Sequence, residues 1–183
     1  MYRIDMIGIQ IVVRICRYNG AMRRNILNGL IIHELTEKYF TNLREVFDVL
    51  GSIATKYNWL LSDYDCNIYP SAQISINEQY VWLAGNELVS IFEEFEIQFI
   101  WGVATAYAKE TKLEDILRNP YPFANGNEAF WKPEVTMQNP LAEIEIVSWD
   151  STFLLVIAKS KEIVEMFEKR YPNSVDLAVY NSS

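Results

Sequence analysis

Two aspartates, Asp63 and Asp65, stand two residues apart in the run Ser-Asp-Tyr-Asp-Cys at residues 62–66. In an extended strand this spacing places both carboxylates on the same face. Such a pair can ligate a divalent cation, provided that further oxygen ligands lie nearby. The sequence offers neither those ligands nor a nucleotide-binding fold, so we interpret the pair as a solvated strand face or as the edge of an acidic interface.

His33 is the second candidate for chemistry, since it is the only histidine of the chain. A Ser-His-Asp or Cys-His set would require it to lie beside a serine or Cys66, and no nucleophile-elbow motif is present in the sequence. We therefore predict a partly buried structural histidine.

Several acidic residues could supply the carboxylate dyad of a hydrolase, and these are Glu93, Glu94, Glu96, Glu143, Glu145 and Asp150. The alternation of Glu143 and Glu145 more simply indicates the wet face of a strand. The run Asn-Gly-Asn at residues 125–127 is typical of a turn, and both glycine-rich nucleotide motifs are absent from the sequence. We predict no catalytic residue, no metal site and no cofactor.

The charge of the chain is unevenly distributed. Residues 1–25 contain five arginines and one aspartate, a net charge of +4, whereas the whole chain carries −8. The remaining residues therefore carry −12. A nucleic-acid partner is not expected because phosphate binding needs a basic surface, and the sequence pI is about 4.7. The acidic body favours a basic protein partner.

Half of the residues are apolar and only 22% are charged, which excludes extensive disorder. Aromatic residues make up 14%, and tyrosine and tryptophan serve both cores and interfaces. Six residues are therefore candidates for partner binding. Asp63, Tyr64 and Asp65 lie on the acidic strand, Phe130 and Trp131 lie in a proline-rich loop, and Asp150 lies in a turn.

Cys16 and Cys66 form neither a metal-binding spacing nor a disulfide framework, which predicts a reducing, cytoplasmic location. Residues 7–16 resemble a weak signal-peptide core, but they are too short to span a membrane and no convincing cleavage site follows. They could instead form a strand, or residues 1–25 could be foreign to the native domain, with Met22 as an internal start.

The elements that must position these residues alternate between strands and helices. Strands are predicted at residues 26–35, 59–66, 79–84, 96–107, 142–149 and 152–158, with a turn at residues 85–86. Helices are predicted at about residues 43–56, 88–95 and from residue 160 to Pro172. A two-residue hairpin turn is expected at Asp150-Ser151, and an edge strand or turn at residues 175–180. This order predicts a single α+β domain over residues 26–183, with two or three helices on one face of a mostly antiparallel sheet.

The C-terminal run from Glu143 to Lys159, with the helix that follows, resembles the ending of small uncharacterised Bacillus-type bacterial proteins. The start of the second strand, Tyr-Asn-Trp-Leu-Leu at residues 57–61, is similar as well, so about a third of the chain carries the likeness. Such families are domains of unknown function, and several resemble immunity proteins of toxin systems. The resemblance implies a small, acidic, cytoplasmic and catalytically silent protein and transfers no site residue.

These observations predict a non-enzymatic, acidic cytoplasmic protein that binds another protein, in its most specific form an immunity-type inhibitor of a basic toxin. The alternatives are a small carboxylate-dependent hydrolase or transferase using Asp63, Asp65 and Asp150, and a homo-oligomer joined through the apolar strand at residues 97–103. Neither a nucleic acid nor a membrane is an expected partner.

Overall fold

The computed structural model describes residues 28–33, 41–70, 74 and 79–183. The hypotheses on residues 1–25, including the signal-like segment, the N-terminal strand, Met22 and Cys16, lie outside these residues.

The described residues form one seven-stranded sheet. Its strands are β1 (Asn28–Ile32), β2 (Tyr57–Cys66), β3 (Tyr80–Ala84), β4 (Phe99–Ala108), β5 (Ile144–Trp149), β6 (Phe153–Ala158) and β7 (Val175–Asp176). The order across the sheet is β3-β2-β4-β5-β6-β1-β7, and every neighbouring pair is antiparallel. The predicted α+β class with an antiparallel sheet is therefore confirmed.

Five α-helices accompany the described strands: α1 (Leu43–Leu50), α2 (Gly85–Glu94), α3 (Leu113–Ile116), α4 (Lys161–Arg170) and α5 (Leu177–Tyr180). Two 3₁₀ helices lie at Gly51–Lys56 and Glu128–Trp131. The apolar sides of α1, α2 and α4 share one core with one face of the sheet. The C-terminal hairpin of β5 and β6 is followed by helix α4, as predicted.

Helix α1 shows why the sequence folds locally as it does. Asn42 is the N-cap, and its side-chain oxygen accepts a hydrogen bond of 3.0 Å from the backbone N–H of Arg44. Leu43, Val46 and Leu50, spaced at three and four residues, are buried. The 3₁₀ helix continues from α1 to Lys56, so the predicted end of the helical segment is also confirmed.

Two predicted turns differ from the structure. Gly85 does not form a turn but begins helix α2, where Glu87 accepts a hydrogen bond of 2.9 Å from the N–H of Ala84. The β5–β6 connection contains three residues rather than two, because Trp149 pairs with Phe153. Its Asp150 and Ser151 have φ of 49° and 52°, which is the left-handed conformation that tight hairpin turns require.

The face of the sheet opposite α1, α2 and α4 is covered mainly by residues 109–142, here named the covering segment, and by α5. Phe130 and Ala124 of the segment and Leu177 of α5 are buried against Val147 and Leu155 of the sheet. Apart from α3 and the second 3₁₀ helix, the segment has no regular structure. The sheet is thus packed on helices on one side and on irregular chain on the other.

The strand proposed for self-association is part of this packing. Ile97, Phe99 and Val103 are fully buried within the chain, the first two in the helix-side core and Val103 in the core beneath the covering segment. Their apolar side chains are therefore not available to a second copy.

Gly85 provides a test of the helix-side packing. A Cβ atom at this position would lie 2.1 Å from the carbonyl oxygen of Ala54 and 2.7 Å from that of Tyr57, so the backbone itself would have to move. We expect Gly85→Ala to lower the free energy of unfolding by about 3 kcal/mol, measured by urea denaturation. Gly126→Ala is the matched control, because nothing lies within 4 Å of its Cβ position. Alanine must only adopt a left-handed φ of 74° there, which lowers the free energy of unfolding by about 1 kcal/mol. Equal losses would contradict the steric explanation.

Candidate functional site

The covering segment is attached to the sheet by polar side chains of β2. The hydroxyl of Ser62 donates a hydrogen bond of 2.6 Å to the carbonyl oxygen of Pro122. Asp63 Oδ2 accepts hydrogen bonds from the backbone N–H groups of Ala124 and Asn125, at 2.7 and 2.8 Å. Hydrogen bonds to an ionised carboxylate are among the stronger ones in proteins. Asp63 is therefore an anchor of the segment as well as a surface acid.

A β-bulge directs Asp63 toward the segment. Between the pairs Ser62–Val103 and Asp65–Trp101, β2 has two residues where β4 has only Gly102. Asp63 has a φ of 49°, a conformation that aspartate tolerates better than most residues. Gly102 is required opposite the bulge, because a Cβ there would lie 2.6 Å from the Phe99 ring. The bulge interrupts the strand alternation from which a common face of Asp63 and Asp65 was predicted.

Glu145 overturns another expectation. It was predicted to mark the wet face of β5, but its side chain is completely buried beneath the covering segment. Its Oε1 accepts hydrogen bonds from the backbone N–H groups of Gln138 and Asn139, at 2.8 and 3.3 Å. Burial raises the pKa of Glu145 to about 7, despite the opposing effect of these hydrogen bonds.

Amide side chains complete the attachment within the segment. Gln138 Oε1 accepts hydrogen bonds from the N–H of Phe123 and from Asn127 Nδ2, at 2.9 and 2.8 Å. Asn139 Nδ2 donates to the carbonyl oxygen of Ile116 at 3.3 Å. A chain of hydrogen bonds thus runs from the buried carboxylate of Glu145 to the backbone of Phe123.

A cleft of about 540 Å³ lies where the bulge of β2 meets the covering segment. This volume is within the range of small-molecule binding pockets. The bulge contributes Asp63, Tyr64 and Asp65, β4 contributes Trp101, and Gln79 lies just before β3. The segment contributes Tyr121, Pro122, Phe123 and Asn125. The structure therefore brings together three of the predicted partner-binding residues.

The cleft combines negative charge with exposed aromatic surface. Tyr121 and Phe123 are 37% and 45% exposed, and they are two of the five large apolar side chains that are exposed in the described part of the chain. No lysine or arginine is among the described residues that line the cleft. Carboxylates and aromatic rings both attract ammonium and guanidinium groups. The arrangement is chemically suited to hold an organic cation.

The two aspartates have different local roles. Asp65 Oδ1 accepts a hydrogen bond of 3.0 Å from the hydroxyl of Tyr69, which itself accepts one of 3.2 Å from the N–H of Cys66. Asp63 Oδ2 is occupied by the segment. Each carboxylate thus keeps a second oxygen that accepts no hydrogen bond from the described residues. Both remain exposed to solvent.

The other predicted partner-binding residues lie outside the cleft. Trp131 packs on Trp149, with ring centroids 4.8 Å apart, and Trp149 packs on Trp101 at 5.0 Å. Phe130 is only 3% exposed and belongs to the core beneath the segment. Asp150 is exposed in the β5–β6 connection and does not line the cleft. A row of aromatic side chains therefore connects Trp131 to the cleft through Trp101.

The remaining candidates for chemistry form no catalytic set. His33 contacts the rings of Phe153 and Tyr180, at 4.9 and 5.6 Å. Cys66 is buried, and burial raises the pKa of its thiol to about 12, which disfavours the nucleophilic thiolate. Glu93, Glu94 and Glu96 are exposed at the end of α2 and after it. Among the described residues, no three His, Cys, Asp or Glu side chains lie together as a metal site.

The fold and the cleft define an antiparallel α+β protein with an acidic, aromatic-lined cleft. No family model matches the chain, and neither a curated protein nor a solved structure matches it. Within the part of the chain that the structure describes, no helix has the length and apolar character needed to cross a membrane.

The anchoring role of Asp63 can be separated from its charge. We expect Asp63→Asn to lower the free energy of unfolding by about 1.5 kcal/mol, because a neutral amide oxygen replaces the ionised acceptor of two backbone N–H groups. Asp65→Asn removes the same charge from the same cleft and should lower it by less than about 0.5 kcal/mol. Urea denaturation measures both values. Equal values for the two variants would show that Asp63 does not anchor the segment.

Proposed function

We propose that this protein is a non-enzymatic binding protein whose cleft receives a cationic side chain of a basic protein partner. The observation that carries the proposal is the composition of the cleft, in which Asp63 and Asp65 stand among aromatic rings without a neighbouring cation among the described lining residues. Because both aspartates belong to a strand that is paired with β4 on either side of the bulge, their backbone is positioned before a partner arrives.

The charge of the chain supports the same proposal at long range. Residues 26–183 carry −12, so a basic partner would be attracted before contact, and salt would screen this attraction. The cleft would then supply the short-range contact, and the row of tryptophans beside it would add apolar area. Tryptophan, tyrosine and arginine are the residues that dominate binding energy at protein interfaces.

In its most specific form, the proposal is an immunity-type inhibitor that acts in the cytoplasm. Such an inhibitor needs no chemistry of its own, because it inactivates a basic toxin by covering the cationic residues of its active site. Residues 57–61 and the C-terminal hairpin and helix resemble small uncharacterised bacterial proteins, several of which resemble immunity proteins, and this resemblance is in accordance with that role. The hydrolase alternative has less support, because Asp150 does not line the cleft and Asp63 also serves as an anchor.

The experiment that tests the cleft uses two small probes that differ only in charge. N-acetyl-arginine methylamide carries a guanidinium group, and the citrulline analogue carries a neutral urea of nearly the same shape. We expect the arginine probe, and not the citrulline probe, to shift the indole N–H resonance of Trp101 in nuclear magnetic resonance spectra. Asp65→Asn should weaken arginine binding about fivefold, which corresponds to about 1 kcal/mol for one exposed charge contact.

Glu168→Gln is the matched control variant. Glu168 is exposed on α4, which packs on the opposite face of the sheet, and the variant changes the net charge by the same amount as Asp65→Asn. Binding should be unchanged in Glu168→Gln. Equal weakening in both variants would mean that only the overall charge attracts the probe, and equal binding of both probes would reject a cation site.

The partner itself is sought by capture from a bacterial cytoplasm with the wild-type chain, Asp65→Asn and Glu168→Gln as baits. A basic protein that is retained by the wild type and Glu168→Gln, lost with Asp65→Asn and released by salt is the expected result. A captured protein that is indifferent to both salt and Asp65→Asn would contradict the proposed mode of binding.

A further inference from the structure

The buried carboxyl group of Glu145 lies among polar groups that are poorly hydrogen-bonded. Its Oε2 atom, Gln138 Nε2, Thr105 Oγ1 and Tyr107 OH make no hydrogen bond of good geometry in the described structure. The side chain of Gln138 interacts weakly with Glu145, and the hydroxyl groups of Thr105 and Tyr107 interact weakly with each other. Thr105 is directly opposite Glu145 in the β4–β5 pairing, and Tyr107 follows Thr105 on the same face of β4. Buried polar atoms without partners are rare in native proteins and need an explanation.

One oxygen of this carboxyl group holds the covering segment, while the other makes no hydrogen bond of good geometry in the described structure. Oε1 accepts the N–H groups of Gln138 and Asn139. In the neutral form, the proton on Oε2 can be donated to a hydroxyl oxygen, and Thr105 supplies one on the adjacent strand. In the ionised form, a negative charge is buried with neutral donors only, the backbone N–H groups of Gln138 and Asn139 and the side chain of Gln138, and it gains solvation if the segment moves away.

We propose that Glu145 is a proton-sensitive clasp of the covering segment, which is closed when the carboxyl group is neutral and opens more readily when the group is ionised. The clasp acts on one wall of the cleft. Gln138, held through its backbone by Glu145, in turn holds the N–H of Phe123 at 2.9 Å, and Phe123 lines the cleft. The inference adds regulation to the proposed site, but the clasp itself does not require that the proposed function be correct.

The titratable groups around Glu145 do not offset its charge. On β4, Tyr107 is the titratable neighbour, and its own pKa is raised by burial and then by Glu145. Immediately before β5, Glu143 forms an ion pair of 3.0 Å with Lys159, which follows β6, and both side chains are more than a third exposed. On β6, Ile157 stands opposite Glu145.

The covering segment itself presents the uncharged Gln138 and Asn139 to the carboxyl group. Its charged side chains are exposed or half-buried, and these are Lys109, Glu110, Lys112, Glu114, Asp115, Arg118, Glu128, Lys132 and Glu134. Asp115 and Arg118 form an ion pair of 3.1 Å with each other. No buried cation of the described residues is therefore available to neutralise Glu145.

The direction of the pH effect follows from linkage. In the closed state the pKa of Glu145 is about 7, whereas the pKa of a solvated glutamate is 4.5. Between these two values the open state releases its proton while the closed state retains it, so opening becomes easier as the pH rises. Above about pH 7 both states are ionised and the effect levels off. The closed segment is thus favoured at low pH, and this advantage is lost as the pH rises to 7.

Amide hydrogen exchange of the full chain tests the clasp without any ligand. We expect the protection of the Gln138 and Asn139 amides, corrected for the intrinsic exchange rate, to fall by about 50-fold between pH 5 and pH 8. Because the opening is local, these amides should be less protected than those of the β5–β6 hairpin at every pH. In Glu145→Gln the protection should not depend on pH, and Glu143→Gln is the control that should retain the wild-type profile.

Two results would overturn the proposal: constant protection across this pH range in the wild type, or exchange of these amides only together with the hairpin. If Glu145→Gln does not fold, the side-chain carbon resonance of Glu145 in the wild-type chain gives the same answer. Titration of that resonance near pH 7 supports the clasp, and titration near 4.5 rejects it. Because no probe is present, these results are independent of whether the cleft binds cations.

Discussion

The structure depends on one constraint: where irregular chain packs on a face of the sheet, its backbone polar groups must be hydrogen-bonded. A helix satisfies its own backbone hydrogen bonds, so α1, α2 and α4 can cover one face with apolar side chains alone. The covering segment cannot do so, since only α3 and a short 3₁₀ helix interrupt its irregular course. Its backbone N–H and C=O groups must find partners on the sheet or in the segment's own side chains.

The polar residues on this face meet that requirement. Ser62 and Asp63 hold the segment near Pro122 and Asn125, and Glu145 holds it near Gln138. Because carboxylate oxygens are strong acceptors for N–H groups, carboxylates are effective at these positions, but their burial has a free-energy cost. Glu145 is completely buried, so the full cost of burial applies to its carboxyl group. Asp63 is exposed at the margin of the segment, so this cost does not apply to it.

The order of the elements could be predicted from the sequence because each depends on local signals. The stripe of Leu43, Val46 and Leu50 indicates a helix whatever its neighbours are, and the alternating apolar residues of β5 and β6 indicate a hairpin. The role of Glu145 could not be predicted this way. A period of two residues assigns Glu145 to one side of its strand, but it does not reveal whether that side is covered. That side is covered by the covering segment, which is irregular chain and therefore has no hydrophobic periodicity from which it could be predicted.

The same limitation applies to the candidate site. The spacing of Asp63 and Asp65 indicated an acidic pair, but the bulge that turns Asp63 toward the segment depends on Gly102, which is 39 residues away in the sequence. Gly85 is similarly predicted to be a turn residue. Its close approach to the carbonyl oxygen of Ala54 is a tertiary feature, which the local sequence does not reveal. Phe130 and Trp131 are adjacent in the sequence, yet only Trp131 is partly exposed. Composition indicated that aromatic residues would matter at a surface, but not which ones.

The cleft has walls of two different kinds, and this difference bears on how it could function. One wall is the bulge of β2, which is flanked by the pairs Ser62–Val103 and Asp65–Trp101 with β4. The other wall belongs to a segment that is held by a few polar contacts, among which the one at Glu145 includes a buried ionisable group. In the proposed mode of binding, the strand wall would fix the position of a bound cation, whereas the wall held by a few contacts would adapt to the chain that carries it. The requirement to anchor irregular chain thus accounts both for Asp63 at the cleft and for the proposed sensitivity of one of its walls to protons.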